Sequence, residues 1–176
     1  MSKIIPTKIA DVFLIEPNIF KDSRGLFFES FNQLELSRQI AREIHFIQDN
    51  HSLSFRNVIR GLHYQKDRPQ AKLISVTKGE IFDVAVDIRP KSHSFGQWVG
   101  HILSAENKLQ MFIPEGFAHG FLTLSENSQV HYKVNAPYVP EDERSIIWND
   151  KILNIAWPLT EAPILSDKDK QAKLFC

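Results

Sequence analysis

The chain has 176 residues with 21 basic and 21 acidic side chains, so its formal net charge at pH 7 is zero. This balance argues against a nucleic-acid partner or a polybasic membrane surface. The length suits a single domain with a substantial hydrophobic core, and we expect residues 1–176 to form it.

The N-terminal part of the chain predicts a strand rather than a targeting signal. Residues 4–15 are apolar and strand-like, and nothing up to Pro17 resembles the apolar core and cleavage site of a secretion signal. Such a strand could pair with the sheet edge of a neighbouring subunit. No stretch approaches the roughly 20 apolar residues of a membrane helix, and we therefore expect a cytoplasmic protein with no membrane partner.

One helix is predicted after this strand. Asn32 and Glu35 have the spacing of a capping box, and a weak apolar face continues to about Arg42. The apolar run 44–47 then predicts a strand that leads into Gln48-Asp49-Asn50. We expect these three polar side chains to lie where that strand ends.

The middle of the chain predicts a succession of short strands. Residues 73–78 and 81–88 flank Gly79-Glu80 and are predicted to pair as a hairpin. Many short strands with regular turns and little helix predict an all-β sandwich or barrel of antiparallel strands. The remaining predicted elements are strands at 95–103, 109–113, 120–124 and 129–134 and a short helix at 167–173.

The strand at 81–88 has two unlike faces. Asp83 and Asp87 lie on one of them, and the other is the main apolar face, formed by Phe82, Val84, Val86 and Ile88. A carboxylate that points into the mouth of a barrel can orient an imidazole or a lysine. The alternative is a pair of solvated aspartates on an exposed face.

The run from Asn57 to Tyr64 combines an anion-binding cation with a titratable imidazole. Arg60 can hold a phosphate or carboxylate through two parallel hydrogen bonds, and His63 can exchange protons near neutral pH. The alternative is a surface arginine and a hydrogen-bonded core histidine. Strict strand alternation sends the two side chains to opposite faces, so a shared pocket requires irregular backbone at Gly61.

Three more side chains are candidates for chemistry. Lys72 opens a strand and is either solvated or placed at a pocket rim, where it would stabilise an oxyanion. His119 lies in a turn anchored by Phe117 and Phe121, either as a packed structural residue or as part of a site. Tyr132 faces inward among valines and is either a core residue or a general acid.

A scattered polar set could recognise a nucleotide. Two arginines would hold a diphosphate and the amides would contact a base or ribose, but spacing alone does not bring together Arg24, Glu29, Gln48, Asn50 and Arg60. The chain has no Walker loop, no dinucleotide-binding glycine fingerprint, no nucleophile elbow and no Cys/His zinc spacing. His63-Tyr64 also departs from the His-x-His of many metal-binding barrels, which disfavours a metal site.

The one cysteine, Cys176, is the last residue. A disulfide within the chain is therefore impossible, which fits a reducing cytosol. We expect no catalytic role for a thiol so close to the terminus.

Several motifs, taken in chain order, resemble those of the dTDP-4-dehydrorhamnose 3,5-epimerases. They include Lys72, residues 79–89, 95–98 and 148–150, Gln48-Asp49-Asn50-His51-Ser52, Arg60-Gly61-Leu62-His63 and Pro114-Glu115-Gly116-Phe117-Ala118-His119-Gly120-Phe121. The resemblance runs from about Pro17 to Asp169. It implies a cupin-like antiparallel jelly roll with a few short helices, a homodimer, and no metal or organic cofactor. It also implies conversion of dTDP-4-dehydro-6-deoxy-D-glucose to dTDP-4-dehydro-L-rhamnose, on the route to dTDP-L-rhamnose.

The same resemblance implies a role for each site residue. His63 matches the general base with Asp169 as its carboxylate partner, Tyr132 matches the general acid, and Lys72 matches the cation that stabilises an enolate. Tyr138 matches the residue that stacks on thymine. The other substrate-binding positions match Arg24, Glu29, Gln48, Asn50, Arg60, His119, Glu143 and Lys168.

These roles agree with the chemistry that the residues favour. C3 and C5 of the sugar both flank the C4 ketone, so removal of either proton gives an enolate that a nearby cation stabilises. Inversion needs a base on one face of the sugar and an acid on the other, and Asp83 would then give indirect support. Three alternatives are a mono-epimerase or ketoisomerase on a related dTDP-sugar, a non-catalytic sugar-nucleotide binding module, and a metal-dependent cupin oxygenase.

Overall fold

Two antiparallel sheets form the framework of the computed structural model, which describes residues 2–175. Cys176, for which no disulfide and no catalytic role are expected, lies outside the described residues. Within them, no helix is long and apolar enough to cross a membrane. The elements are β1 (Lys3–Pro6), β2 (Phe13–Glu16), β3 (Phe20–Asp22), β4 (Gly25–Phe27), α1 (Gln33–Gln39), β5 (Gln48–Phe55), β6 (Ile59–Gln65), β7 (Lys72–Lys78), β8 (Glu80–Asp87), β9 (Trp98–Ser104), β10 (Gln110–Ile113), β11 (Phe117–Thr123), β12 (Asn127–Val134), β13 (Glu143–Ser145) and α2 (Asp167–Lys170).

The order of the strands gives a jelly roll. One sheet has six strands in the order β1-β2-β10-β7-β12-β5, and the other has five in the order β13-β6-β11-β8-β9. A separate hairpin, β3-β4, stands outside both sheets. All pairings between these strands are antiparallel. The predicted all-β, cupin-like antiparallel jelly roll with a few short helices is confirmed.

The predicted hairpin of residues 73–78 and 81–88 is wrong, because the two strands belong to different sheets. β7 pairs with β10 and β12, whereas β8 pairs with β9 and β11. The chain crosses between the sheets at Gly79, where φ is +74° and a Cβ would lie 2.3 Å from the Asn127 carbonyl oxygen. A glycine between two apolar runs signals a turn, but it does not say which sheet each strand joins.

Strand β8 is buried on both faces, which rules out the alternative of two solvated aspartates. Ile81 and Ala85 belong to the core between the two sheets, and Asp83 and Asp87 on that same face are fully buried. The opposite face is covered by the C-terminal part of the chain, which contributes Ile146, Leu153, Trp157 and Phe175 to a second apolar cluster. The carboxylates therefore face the interior of the jelly roll rather than solvent.

The N-terminal and helical predictions hold in part. The Asn32 Oδ1 atom accepts from the Glu35 backbone N–H at 3.1 Å and caps α1, but the Glu35 carboxylate accepts from Arg38 and Gln39 further along the helix. Helix α1 ends at Gln39 rather than near residue 42, and α2 ends at residue 170 rather than 173. Within residues 4–15, β2 pairs with β10 of its own sheet and β1 is the outermost strand. Among the described residues no strand pairs with the outer edge of β1, and the predicted pairing with a second subunit stays a prediction.

Residues 44–47 do not form the predicted strand. The buried side chain of Ile44 packs in an apolar cluster with Leu36 and Leu73, and the Phe46 ring meets the Phe31 ring edge-on at a centroid distance of 5.6 Å. The run therefore covers the six-stranded sheet with its side chains, and regular pairing begins only at Gln48. An apolar run of this length is equally compatible with a covering segment and with a strand.

Strands β6 and β11 approach each other closely at two glycines. A Cβ on Gly120 would lie 2.7 Å from the Arg60 carbonyl oxygen, and a Cβ on Gly61 would lie 2.6 Å from the Gly120 Cα. Gly61 has φ of +117°, its peptide bond to Leu62 is cis, and the register of the two strands shifts between residues 119 and 121. The irregular backbone predicted at Gly61 is therefore confirmed.

We expect Gly120→Ala to destabilise the protein by about 1–3 kcal/mol, because the added methyl group overpacks the contact with β6. It should also weaken binding of dTDP, the ligand that the resemblance implies, because Arg60 and His63 would move with β6. Gly100→Ala is the matched control, since its Cβ would meet the Phe82 ring at 2.2 Å on the far face of the sheet. Thermal unfolding and dTDP titration should show lost stability in both variants and lost affinity only in Gly120→Ala; equal losses of affinity would contradict the prediction.

Candidate active site

A cavity of about 600 Å³ lies between the two sheets and is closed on one side by the segment around α2. It collects every predicted site residue except Arg24 and Glu29. The six-stranded sheet and the loop after it supply Gln48, Asn50, Lys72, Tyr132 and Tyr138, and the five-stranded sheet and α2 supply Arg60, His63, His119, Glu143, Lys168 and Asp169.

The backbone at Gly61 turns both Arg60 and His63 into this cavity, as the sequence prediction requires. The guanidinium of Arg60 is held from behind, because its Nε donates to Ser54 Oγ at 2.8 Å and its Nη2 to the Leu53 carbonyl oxygen at 3.2 Å. Its other guanidinium N–H groups have no partner among residues 2–175 and can bind an anion in the cavity. Arg60 is thus solvent-exposed, as the surface alternative held, but two hydrogen bonds hold its guanidinium at the cavity wall.

His63 forms a short hydrogen bond with a buried carboxylate. Its Nε2 lies 2.5 Å from Asp169 Oδ1, and Ser166 Oγ donates to the other carboxylate oxygen at 2.9 Å. Ser166 also caps α2 by accepting from the Asp169 N–H. Burial raises the pKa of Asp169, but the hydrogen bonds from His63 and Ser166 outweigh it, so the net pKa lies below the ordinary value.

An ionised Asp169 fixes the tautomer of the imidazole. Its oxygen accepts the proton on Nε2, which leaves Nδ1 of a neutral His63 as the basic nitrogen. Nδ1 lies 4.0 Å from Glu143 Oε1, on the cavity side of the ring. The arrangement gives His63 one oriented lone pair for taking a proton.

Lys72 and Tyr132 form the opposite wall, on adjacent strands of the other sheet. The Lys72 ammonium is buried, which corrects the solvated alternative, and its Nζ lies 5.9 Å from the Tyr132 ring centroid. Burial lowers the pKa of Lys72 to about 8, although the Glu143 carboxylate partly opposes this. Burial raises the pKa of the Tyr132 phenol; Arg60 opposes the shift and Glu143 adds to it, so the phenol stays protonated near neutral pH.

Glu143 joins three parts of the cavity. Its carboxylate forms an ion pair with Lys168 and accepts a hydrogen bond from the Tyr138 hydroxyl at 2.7 Å. Burial raises the pKa of Glu143, but the hydrogen bonds from Lys168 and Tyr138 lower the pKa by more than burial raises it. The net pKa of Glu143 therefore lies below its ordinary value. Tyr138 is 50% exposed at the cavity mouth, which leaves its ring available for stacking, and its backbone N–H donates to Gln48 Oε1.

His119 has its own carboxylate partner. Its Nε2 lies 2.7 Å from Asp83 Oδ1, whose pKa is raised by burial and only partly lowered by His119 and His101. Asp83 thus orients an imidazole, as one sequence interpretation held, and the imidazole is that of His119. Because His119 lines the cavity, it belongs to the candidate site.

Arg24 and Glu29 lie away from the cavity. Arg24 is at the tip of the β3-β4 hairpin, where its Nη2 pairs with Asp22 Oδ2 at 2.6 Å and its side chain is 88% exposed. The Glu29 carboxylate accepts from the Asn32 side-chain amide near the start of α1. In one copy of the chain, neither side chain reaches the other predicted site residues.

Among the side chains that were missed from sequence, two contact residues with a predicted catalytic role. Ser166 positions Asp169, and its place just before the predicted second helix is the usual signal of an N-cap, so it could have been found. Gln70 contacts Lys72 within the cavity wall, and no local pattern marks it. Among residues 2–175, no group of three or more His, Asp or Glu side chains is placed to hold a metal ion.

Comparisons with known proteins agree with this geometry. The sequence model of the family described as dTDP-4-dehydrorhamnose 3,5-epimerase matches residues 6–176. A curated enzyme of that name from Pseudomonas aeruginosa is 56% identical over 167 residues, covering 95% of this chain and 92% of the relative.

Two solved structures are also similar to the chain. A 3,5-epimerase from Legionella pneumophila in complex with dTDP-4-keto-L-rhamnose has a TM-score of 0.97 and 51% identity, covering 99% of this chain and 93% of that one. The 3'-monoepimerase ChmJ from Streptomyces bikiniensis, in complex with dTDP-quinovose, has a TM-score of 0.90 and 32% identity, covering 96% and 86%. By its sequence and its fold, the chain belongs to the dTDP-4-dehydrorhamnose 3,5-epimerase family.

Proposed function

We propose that the chain inverts C3 and C5 of dTDP-4-dehydro-6-deoxy-D-glucose and releases dTDP-4-dehydro-L-rhamnose for dTDP-L-rhamnose biosynthesis. The observation that carries this proposal is the placement of a paired imidazole and a phenol on opposing sheets of one cavity, with a buried ammonium beside the phenol. Inversion of a carbon next to a ketone requires a base on one face, an acid on the other, and a cation near the carbonyl oxygen.

In the proposed reaction, His63 Nδ1 takes the proton from the carbon next to the C4 ketone. The electron pair of the C–H bond moves to the carbonyl oxygen, and the Lys72 ammonium stabilises the enolate that forms. Tyr132 then gives its phenolic proton to the opposite face of the carbon. Each inversion leaves an imidazolium and a phenolate, which must exchange protons with water before the second carbon reacts. These steps need no metal or organic cofactor.

The rest of the cavity would hold the nucleotide. We assign Arg60 to the diphosphate, because its guanidinium is held by Ser54 and Leu53 and still presents free N–H groups. We assign the exposed ring of Tyr138 to stacking on thymine. The other proposed substrate contacts are Gln48, Asn50, His119, Glu143 and Lys168, all of which line the cavity.

A mono-epimerase is the second candidate function. The jelly roll does not separate the two reactions, since the monoepimerase ChmJ has nearly the same fold at 32% identity. Greater identity favours double inversion, because the P. aeruginosa and L. pneumophila 3,5-epimerases are 56% and 51% identical. The number of solvent protons incorporated into the product distinguishes the two candidates.

We expect deuterium at both C3 and C5 of an L-rhamno product when the protein acts on dTDP-4-dehydro-6-deoxy-D-glucose in deuterated water. The mass of the product gives the number of deuterium atoms, and its stereochemistry shows which carbons were inverted. His63→Ala is the matched control and should keep less than about a tenth of the activity, since general-base catalysis contributes roughly 10²–10⁴-fold. Deuterium at one carbon would establish the mono-epimerase instead. A His63→Ala variant with near-normal turnover would refute the assignment of the base.

We expect Tyr132→Phe to separate proton removal from inversion. His63 can still form the enolate and return a proton to the same face, so deuterium wash-in at the sugar carbons should continue. The phenylalanine cannot protonate the other face, so formation of the inverted product should fall by about 10²-fold or more. Intact inversion in this variant would show that another group is the acid.

We further propose that the chain forms one domain over residues 1–176 and works in the cytoplasm as a homodimer. In this dimer, the β3-β4 hairpin of one copy would reach the cavity of the other copy. The hairpin exposes 59% of Phe20, 48% of Leu26 and 71% of Phe27, an apolar surface typical of a protein interface. The edge strand β5, which lines the cavity, exposes 65% of Phe55 and could receive it. Such an exchange would bring Arg24, and Glu29 shortly after the hairpin, towards a site that neither reaches in its own copy.

Subunit mixing tests this dimer. Arg24→Ala and His63→Ala homodimers should each be impaired, but an equal mixture after subunit exchange should recover about a quarter of wild-type activity, because half the dimers then hold one intact site. The unmixed variants are the controls. A monomer in sedimentation, or no recovery above the separate activities, would contradict the proposal.

A further inference from the structure

The Lys72 ammonium is held by a single neutral side chain. Lys72 Nζ donates to Gln70 Oε1 at 2.8 Å, and both residues are only 9% exposed. Within residues 2–175, Gln70 supplies the one hydrogen-bond acceptor that this ammonium contacts. An ammonium has three N–H groups, so two of them are free for a substrate oxygen.

The orientation of the Gln70 amide is fixed by a second contact. Its Nε2 donates to the Ala136 carbonyl oxygen at 2.8 Å. A carbonyl oxygen can only accept, so the amide nitrogen must face Ala136 and the amide oxygen must face Lys72. The same segment is tied down next to Gln70, where the Ala71 N–H donates to Asn135 Oδ1 at 2.7 Å.

Several charged or titratable groups from other elements line the same cavity as Lys72. They are Tyr132 on β12, Tyr138 in the loop after it, Glu143 on β13, Arg60, His63 and Tyr64 on β6, His119 on β11, and Lys168 and Asp169 on α2. The Glu143 carboxylate favours the charged form of Lys72 and so raises its pKa, but this carboxylate is already paired with Lys168 and accepts from Tyr138. No carboxylate is hydrogen-bonded to the Lys72 ammonium among the described residues.

We propose that Gln70 is a positioning residue that fixes the Lys72 ammonium through an uncharged acceptor and so keeps its positive charge available to the enolate. This inference rests on the proposed function, in which Lys72 stabilises that enolate. A carboxylate at position 70 would orient the ammonium equally well but would neutralise it before the substrate oxygen becomes charged. A neutral amide orients the ammonium without neutralising it, so its full positive charge can stabilise the negative charge that develops on the substrate oxygen in the transition state.

The contact can be tested without turnover, by NMR titration of the Lys72 ε-carbon in the substrate-free protein, with the signal assigned by its loss in Lys72→Met. The wild-type Lys72 pKa should be about 8. Gln70→Glu should raise this pKa by about one unit or more, because an opposite charge within hydrogen-bond reach favours the ammonium. Gln70→Met should lower it by about one unit, because the acceptor for a charged donor is lost.

Gln65→Glu is the matched charge control. Gln65 lines the same cavity, but its amide bonds to the backbone at Arg68, Pro137 and Val139 rather than to Lys72. It should shift the Lys72 pKa much less than Gln70→Glu does. Equal shifts in the two glutamate variants, or an unchanged pKa in both Gln70 variants, would overturn the proposal; if Gln70→Met does not fold, the two glutamate variants still decide it.

Turnover provides a second readout. Because Lys72 acts as the ammonium, kcat should fall as the pH rises through the Lys72 pKa. This fall should occur at a higher pH in Gln70→Glu and at a lower pH in Gln70→Met than in the wild-type protein. The plateau kcat should fall by about tenfold or more in both, with KM little changed, because the contact acts on the enolate rather than on the nucleotide. If the Lys72 pKa shifts in opposite directions in the two Gln70 variants but the wild-type protein does not epimerise the substrate, the Gln70 contact is supported and the proposed reaction is rejected. If the wild-type protein epimerises normally but the alkaline limb of the kcat profile does not move in the variants, the role of Gln70 is overturned.

Discussion

The close approach of β6 to β11 is the contact on which the cavity depends. Two glycines, Gly61 and Gly120, let the backbones meet where any side chain would collide, and the register shifts at the same point. A regular strand would send Arg60 and His63 to opposite faces, and the cavity would then lose either its anion-binding cation or its base. The geometry of one interior strand pair therefore decides whether the two chemically different side chains share a pocket.

The charged groups of the cavity are each held by a partner set behind them. Asp169 holds His63, Asp83 holds His119, and both carboxylates are almost fully buried. Such hydrogen bonds are stronger in the low dielectric of the interior, and each one fixes which nitrogen of its ring points to the carboxylate and which is left to face away from it. The site is preorganised in this sense, because no side chain has to find its partner when a substrate arrives.

The sequence predicted the fold class, because alternation, turn residues and charge balance are local properties. It also predicted most of the residues that line the cavity, but through the family resemblance rather than through spacing. It failed where the outcome depends on which sheet a strand joins, because the Gly79 crossover looked like a hairpin turn. Gln70 was missed for the same reason, since its partners Lys72 and Ala136 meet only after β7 and the end of β12 are brought side by side. For Asp83 the sequence left open whether the side chain was solvated or oriented an imidazole, and the structure buries it against His119.

The hydrogen bond between His63 and Asp169 joins residues 106 positions apart in the chain. Segments flanking α2 are tied to the five-stranded sheet by isolated bridges at Val58–Ile164 and Ile146–Lys173, and the Phe175 N–H is fixed by the buried Asp150 carboxylate. During synthesis both sheets can therefore be complete while the base still lacks its carboxylate. Because contacts of such long sequence separation close a large loop, the site is complete only when residues 164–175 are docked on the jelly roll.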